Sequence, residues 1–208
     1  KKGEIDILSK IIKPNIGVIT NINYAHVKNF KNIKQIALAK SEIIDNIKPN
    51  GFVVLNADDS FFGLHKKIAN AKNIKVVSFG IKSSKSDIKL VEVKPLGKKF
   101  KIIISLNNKN EHFFISYNFQ NYIYNILCAL AIISIDINIS KLPKNIFLNF
   151  EIPRGRGDHS VIKIDNKKIN LIDQSYNSNP LSLKSAINNY DKIETKKSNK
   201  YLIIGDML

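Results

Sequence analysis

Polar side chains cluster after three apolar runs of the sequence, where they could bind a charged ligand. "TNINYAH" follows the run 15–20, "DQSYNSNP" follows 168–173, and "GDM" follows 201–204. In an open parallel sheet, ligands bind at the carboxyl ends of the strands, where the next helix presents its positive N-terminus. Ser and Asn also serve as ordinary caps and turn residues, so each loop alone leaves both interpretations open.

Two further residues have types that suit phosphate or metal binding. His26 lies six residues after the first run, and Lys40 interrupts a stripe of Ala and Ile at helical spacing. A lysine beside a phosphate or a metal would be functional. The structural alternatives are a hydrogen-bonded histidine and a lysine whose stem packs on the surface while its ammonium reaches water.

Arg154 and Arg156, in "PRGRGDH", are the only arginines of a chain rich in lysine. The glycines beside Arg156 allow a close approach of the backbone to a ligand. A guanidinium fork matches a phosphate better than an ammonium does. A basic surface loop without a ligand is the alternative for this segment.

The formal net charge of +16 is distributed along the whole chain rather than concentrated in one segment. A nucleic-acid reader would show clustered arginines interleaved with aromatics, so we expect no nucleic acid partner and instead anionic small substrates. No apolar run is long enough to span a bilayer, and the single Cys128 fits a reducing, cytoplasmic setting. The chain has no Walker-type phosphate loop, no Gly-x-Ser-x-Gly elbow, no paired-cysteine site and no His-Glu-x-x-His motif.

Strands and helices, which must position these residues, alternate in the first part of the chain. The strands predicted after them pair in an antiparallel way. Apolar runs and helical periodicity predict an α/β fold, a mostly parallel sheet flanked by helices with a small antiparallel portion. The predicted strands are 15–20, 52–56, 74–80, 87–93, 99–106, 111–117, 160–165, 168–173 and 201–204. The predicted helices are 32–47, 58–70 with an Asp58 or Asp59 cap, 121–135, 141–150 and 180–190.

Six stretches, taken in order, resemble the Mur ligases. They are "KKGEI", "KPNIGVITNINYAHVKNFKNIKQIALAKSEII", "GFVVLNADD", "IPRGRGD", "LIDQSYNSNPLSLKSAI" and "IIGDML". The "SYNSNP" loop is the most specific of them, because it resembles the Tyr-Asn-Ala-Asn-Pro loop of the members that add D-alanyl-D-alanine. The Thr-Asn, Ala-His and Ala-Lys-x-Glu-Ile block is nearly as specific.

The resemblance implies roles for the candidate residues, carried over position by position. His26 looks like a magnesium ligand, and Lys40 looks like the lysine that reacts with carbon dioxide to give a metal-binding carbamate. Arg156 is similar to the arginine that approaches the nucleotide phosphates, and Asn125 resembles the asparagine beside the adenine. The remaining nucleotide-binding residues implied by the resemblance are Asn21, Asp173, Tyr176, Asn177 and Asn179.

The chain departs from the family pattern at two places. The family has Gly-x-His-Asn ahead of the asparagine matched by Asn125, whereas this chain reads "FQNY" at 119–122. Gln174 stands where an acidic residue is common in the family.

The resemblance also implies a reaction and a domain arrangement. Residues 1–208 would form most of the central, ATPase-like domain, with the UDP-substrate domain and the phosphate loop before residue 1 and a third domain after Leu208. The whole enzyme would be a cytoplasmic monomer that uses ATP and Mg²⁺ for peptidoglycan synthesis. It would phosphorylate the terminal carboxylate of UDP-N-acetylmuramoyl-tripeptide, and the amine of D-Ala-D-Ala would then attack that acyl phosphate. The fragment alone is expected to be inactive.

Three alternatives stay open at this point. The chain could belong to another Mur-type ligase, either an amino-acid-adding enzyme or a folylpolyglutamate synthase, although "SYNSNP" argues against both. It could be a non-catalytic nucleotide-binding domain. A nucleic-acid binder is supported by the charge alone, and strong salt-dependent DNA binding would favour it.

Overall fold

The computed structural model describes residues 2–23, 30–106, 108–176, 180–193 and 199–205. The chain divides into two compact units, residues 1–150 and residues 151–208. Each unit has its own sheet, six-stranded in the first and two-stranded in the second.

The sheet of the first unit carries its strands in chain order. The first four strands pair in parallel, and the last two continue the sheet as an antiparallel meander. This arrangement confirms the predicted mostly parallel sheet with an antiparallel portion. The strands are β1 (Ile16–Ile19), β2 (Phe52–Asn56), β3 (Lys75–Gly80), β4 (Ile88–Leu96), β5 (Lys99–Leu106) and β6 (Lys109–Ser116).

In the described residues of the first unit, the α-helices are α1 (Glu4–Ile12), α2 (Ile33–Asp45), α3 (Phe62–Ala71) and α4 (Ile123–Ile133). Of these, α2, α3 and α4 pack against the sheet and α1 packs on α2. A 3₁₀ helix, Tyr117–Tyr122, leads directly into α4. The side chain of Asn32 accepts the backbone N–H of Gln35 at 3.0 Å, which is the N-cap geometry that a helix start requires.

Two apolar clusters form the interior of the first unit. One lies between β3, the meander and α4, and includes Phe79, Phe113 and Leu127; the other lies between β1, β2, α2 and α3, and includes Val53 and Ile44. Alternate residues of β2 pack into different clusters, Val54 into the first and Val53 and Leu55 into the second, so both faces of the strand are covered, as expected for parallel sheets. The core therefore fixes the carboxyl ends of β1, β2 and β3 relative to α2 and α4.

The helix α1 was not predicted, although its sequence has an acidic first turn and a basic last turn. Its N-terminus is held from a distant part of the chain, because the Glu42 carboxylate accepts the N–H of Gly3 at 2.8 Å and of Asp6 at 3.2 Å. A carboxylate at this position also interacts favourably with the helix dipole. Such a long-range cap has no local sequence signature.

Two predicted elements of the first unit are corrected. The predicted helix 141–150 is wrong: a short 3₁₀ helix, Ile139–Lys141, is followed by turns, because Pro143 has no N–H to continue a helix. Phe147 instead packs against Phe113 and pairs with Ile115 at the edge of β6. The helix predicted to begin at 58 begins at Phe62, since its two aspartates bind other groups.

The second unit contains the hairpin of β7 (Asp158–Ile164) and β8 (Lys167–Asp173), followed by α5 (Pro180–Asp191). The two-residue loop Asp165-Asn166 has positive φ at both positions, 47° and 64°, as a tight hairpin requires. The predicted strand 201–204 is wrong, because the described residues 199–205 pair with no strand. Tyr201 instead exchanges two hydrogen bonds with the hydroxyl of Tyr190.

Candidate functional site

The candidate residues of the first unit lie where β1, β2 and β3 end. Asn21 follows β1, Asp58 and Asp59 follow β2, and Lys40 projects from α2 toward the same edge. The carboxyl ends of parallel strands share one edge of the sheet, so residues distant in sequence become neighbours there.

Lys40 and Asn21, two of the predicted site residues, lie next to each other in the structure. The ammonium of Lys40 donates to the carbonyl oxygen of Asn21 at 2.8 Å. The side chain is half-buried on a helix whose neighbouring Ala37 and Ala39 are fully buried. Burial lowers the pKa of Lys40 below its usual range, and the negative charge of Asp59 opposes that shift. The lysine is therefore more readily deprotonated than a surface lysine.

Asp59 lies at the candidate site, whereas the sequence predicts it only as an alternative to Asp58 for the cap of the following helix. Its carboxylate accepts the N–H of Ile22 at 2.6 Å and the N–H of Phe61 at 2.8 Å. The first bond ties the loop after β1 to the loop after β2, and it places a negative charge near Lys40. The signal available in the sequence was the pair of acids directly after a buried strand.

His65 is a second residue that the sequence analysis did not select. It is 2% exposed in α3, and its Nε2 donates to the carbonyl oxygen of Ala37 at 3.1 Å. Burial lowers its pKa, although the Ala37 hydrogen bond and the charge of Asp59 oppose this shift. A neutral imidazole therefore supports the turn of α2 that precedes Lys40.

Asp58 joins three elements at the same edge. Its carboxylate accepts three successive backbone N–H groups from the turn after β3 and the hydroxyl of Tyr124 on α4. Asn125, the predicted adenine contact, is the next residue of α4 and is exposed.

The second unit carries the candidates that follow the hairpin. Arg156 is exposed, and its guanidinium carbon lies 4.3 Å from the centre of the Tyr176 ring. The backbone of Gly155 accepts the N–H of Tyr176 at 3.0 Å, which fixes the two loops to each other. Cation–π stacking of this kind holds a guanidinium in one plane.

Hydrogen bonds within the same two loops hold Asp173 and Asp158. The carboxylate of Asp173 accepts from the side chain and the backbone N–H of Ser175, and these bonds lower its pKa. Asp158 accepts the N–H of Gly155 at 2.6 Å. Arg156, Asp173 and Tyr176 are thus brought together at the open end of the hairpin.

Three predicted site residues, His26, Asn177 and Asn179, lie outside the described residues. Within the described ranges, no group of three His, Cys, Asp or Glu side chains could hold a metal ion. A hard cation such as Mg²⁺ prefers oxygen ligands, so the free amine of Lys40 does not suit it, whereas a carbamate on the same nitrogen would. In the part of the chain that the structure describes, no helix is long and apolar enough to cross a membrane.

Comparison with known proteins gives one family and a consistent set of relatives. Residues 1–133 match the family model of the Mur ligase middle domain. The UDP-N-acetylmuramoyl-tripeptide–D-alanyl-D-alanine ligase of Rickettsia prowazekii is 34% identical over 213 residues, covering 100% of this chain and 45% of the relative. The enzyme of the same name from Bacillus subtilis is 27% identical over 215 residues, covering 100% of this chain and 42% of the relative.

Solved structures agree with these matches at the level of the fold. MurF from Acinetobacter baumannii superposes with a TM-score of 0.77 at 24% identity, covering 93% of this chain and 41% of that one. MurF ligase from Thermotoga maritima in complex with ADP superposes with a TM-score of 0.76 at 21% identity, covering 94% and 43%. The chain therefore spans less than half the length of the relatives that it matches.

Proposed function

The chain belongs to the Mur ligase family, and we propose that it forms most of the central, nucleotide-binding domain of an ATP-dependent ligase that adds D-alanyl-D-alanine to UDP-N-acetylmuramoyl-tripeptide. Relatives with that name align with the whole chain, and the "SYNSNP" loop supports the same member of the family. In this proposal a UDP-substrate domain with the phosphate loop and a third domain complete the enzyme.

The observation that carries the proposal is the environment of Lys40. Carbamate formation needs a neutral amine, which attacks carbon dioxide with formation of an N–C bond and loss of one proton. Burial of Lys40 increases the neutral fraction of that amine. The product is an anion with two oxygens, at an edge where Asn21 already supplies a carbonyl oxygen within 2.8 Å of the nitrogen.

In this proposal Lys40, as the carbamate, and His26 hold Mg²⁺. A bound divalent cation would neutralise negative charge on the phosphate oxygens of ATP. Asp59 would have a positioning role, because its carboxylate holds the N–H of Ile22, four residues before His26 in the sequence.

The proposed nucleotide contacts divide into phosphate contacts and an adenine contact. Arg156, preset by its stacking on Tyr176, would pair with phosphate oxygens as a planar fork. Asn125 would contact the adenine. The other proposed nucleotide-binding residues are Asn21, Asp173, Tyr176, Asn177 and Asn179.

The proposed chemistry has two steps. An oxygen of the terminal carboxylate of the tripeptide bonds to the γ-phosphorus of ATP, and ADP leaves with the electron pair of the broken P–O bond. The free amine of D-Ala-D-Ala then attacks the carbonyl carbon of the acyl phosphate, inorganic phosphate leaves, and the nitrogen loses a proton as the amide forms. Arg156 would stabilise the charge spread over the transferring phosphoryl group.

The test uses the protein expressed from its complete gene. We expect phosphate release from ATP that depends on both UDP-N-acetylmuramoyl-tripeptide and D-Ala-D-Ala, with little release when a single amino acid replaces the dipeptide. Lys40→Ala should lower kcat by about 100-fold or more, because it removes the anion that completes the site. Lys34→Ala, an exposed lysine of the same helix, is the matched control.

Small carboxylic acids offer a sharper readout of the carbamate. Formate or acetate should restore part of the activity of Lys40→Ala, because either can supply carboxylate oxygens in the space left by the side chain. Full activity of Lys40→Ala without any acid would exclude the proposed role of Lys40. Phosphate release that does not depend on D-Ala-D-Ala but does depend on another amine would assign the chain to a different Mur-type ligase.

A further inference from the structure

The carboxylate of Asp58 connects the end of β2 to two other elements. Its Oδ2 accepts the N–H of Ile81 at 2.6 Å and of Lys82 at 3.0 Å, and its Oδ1 accepts the N–H of Ser83 at 2.7 Å. The hydroxyl of Tyr124 donates to Oδ2 at 2.9 Å. One side chain thus links the turn after β3 to the first turn of α4.

These bonds are of the strong, charge-assisted kind. Burial alone would raise the pKa of Asp58, but the three backbone N–H groups and the Tyr124 hydroxyl lower it, and the net shift is downward. Burial and the bond to Asp58 raise the pKa of Tyr124 to about 12. At neutral pH the carboxylate is therefore ionised and the phenol is a donor, a pairing about twice as strong as a neutral one.

The buried residues of α4 are apolar apart from Cys128, so its packing supplies little directional contact. Its sequence, "IYNILCALAII", contains Tyr124, Asn125 and Cys128 as its only polar side chains, and Ile126, Leu127 and Leu130 are buried. Apolar burial is non-directional, so packing alone fixes the rotation of such a helix weakly. A hydrogen bond with a preferred distance and angle fixes it more tightly.

The bond between Asp58 and Tyr124 also compensates for a missing side-chain cap at the N-terminus of α4. No side chain caps the N-terminus of α4 at its N-cap residue, Tyr122. The preceding segment 119–122 reads "FQNY", the point at which this chain departs from the Gly-x-His-Asn pattern of the family. The Asp58–Tyr124 bond therefore holds the helix start from outside the helix.

We propose that Asp58, acting through Tyr124, positions the first turn of α4 and thereby directs Asn125 at the base of a bound nucleotide, an inference that rests on the proposed nucleotide-binding role of Asn125. Asn125 follows Tyr124 directly and is exposed at the same helix end. An asparagine amide can both donate to and accept from the edge of adenine, and the same pair of bonds does not form with guanine. The Asp58–Tyr124 bond is therefore expected to affect the selectivity for adenine over guanine nucleotides.

The alternative is that Asp58 only stabilises the turn at residues 81–83. Tyr124→Phe separates the two roles, because it removes the bond to α4 and leaves the three backbone bonds of Asp58 in place. Asp58→Asn replaces one acceptor oxygen by an NH₂ group, so it disturbs both sets of bonds at once and risks unfolding; Tyr124→Phe is therefore the primary variant. Tyr117→Phe is the matched control, since Tyr117 is an exposed tyrosine of the preceding 3₁₀ helix and stacks on Phe100.

The experiment measures the Kd of ADP and of GDP by calorimetry on the protein expressed from its complete gene. We expect the unsubstituted protein to prefer ADP, and Tyr124→Phe to weaken ADP binding about fivefold with little change for GDP. Tyr117→Phe should keep the original preference. An unchanged ratio of the two Kd values in Tyr124→Phe would overturn the inference while leaving the proposed function intact.

A double-substitution cycle tests whether the effect passes through Asn125. In an Asn125→Ala background, Tyr124→Phe should leave the Kd of ADP unchanged, because the group that it positions is gone. An equal loss in both backgrounds would show a merely structural effect and would overturn the inference. Failure of the unsubstituted protein to bind ADP would overturn the proposed function and this inference with it.

Discussion

The two units support their candidate residues in different ways. In the first unit, Lys40 and Asp59 stand on elements packed against a buried core, and the pKa of Lys40 is set by burial. In the second unit, Arg156 and Tyr176 are exposed, and no apolar side chain in the described part of residues 151–208 is buried. A lysine whose proton must be lost needs desolvation, whereas an arginine that remains charged needs only a fixed orientation.

The largest expected difference between the units is in the free energy of unfolding. Leu127→Ala, at a fully buried position of α4, should cost about 2–5 kcal/mol because it removes packed apolar volume and leaves a cavity. Leu171→Ala, at a position of β8 that is 41% exposed, should cost about 1 kcal/mol or less. Urea denaturation of the chain, followed by circular dichroism, measures both.

An equally large loss in both leucine variants would contradict the comparison. It would mean that the outward side chains of the β7–β8 hairpin are covered in solution. An unfolding midpoint that falls only for Leu127→Ala would confirm that the core lies in the first unit.

The second expected effect concerns the loop that holds Arg156. Gly155 has φ +74°, and a Cβ there would lie 2.9 Å from the backbone nitrogen of Tyr176. Gly155→Ala should therefore cost about 1–2 kcal/mol in backbone strain and also displace Tyr176 from Arg156. Gly97→Ala is the matched control, because Gly97 has φ +63° with no atom within 4 Å of its Cβ position.

Thermal unfolding and ADP binding by the protein from its complete gene distinguish these two glycine variants. Both should lower the melting temperature, since both place alanine at a left-handed φ, and Gly155→Ala should lower it more because its Cβ also meets Tyr176. Weaker ADP binding is expected for Gly155→Ala alone. The same loss of ADP affinity in Gly97→Ala would mean that the order of the Arg156 loop is unimportant for the ligand.

The sequence predicted the sheet of the first unit well because its apolar runs are long and regularly spaced. The strands 52–56 and 99–106 were predicted with their exact bounds. The errors occur where a distant group decides the local structure. Helix α1 depends on Glu42 for its N-terminal contacts, and Phe147 lies at the edge of β6 rather than in a helix.

The candidate site was predicted less completely, for a related reason. Lys40 stands out by its place in an apolar helical stripe and Asn21 by the resemblance, and the structure places the two side by side. Asp58 and Asp59 were read as caps, because adjacent acids before a helix are the usual sign of one. Their actual partners lie in two other loops and in α4, and pairings of this kind depend on the tertiary fold.

The smallest expected effect tests whether Asp59 tunes Lys40. The negative charge of Asp59 raises the pKa of Lys40 against the larger effect of burial, so Asp59→Asn should lower that pKa further. Because the pKa of Lys40 is lower in the folded state than in the unfolded state, the free energy of unfolding rises with pH between these two pKa values. Asp59→Asn lowers the folded-state pKa, so this rise should begin at a lower pH. Competitive acetylation of Lys40 against the exposed Lys34, measured by peptide mass spectrometry across pH, follows the pKa directly.

Asp45→Asn is the matched control for this experiment, because Asp45 lies at the end of the same helix and pairs with Lys72 at 3.0 Å. It should leave the labelling profile of Lys40 unchanged. A labelling profile of Lys40 that moves to higher pH in Asp59→Asn would mean that its pKa has risen. Loss of the Asp59–Ile22 bond would then have exposed Lys40 to water, and this hydration would stabilise the ammonium more than the lost negative charge destabilises it. In that case water access, rather than the charge of Asp59, would set the pKa of Lys40. The difference between Lys40 in the first unit and the exposed Arg156 in the second would then be a difference in burial alone.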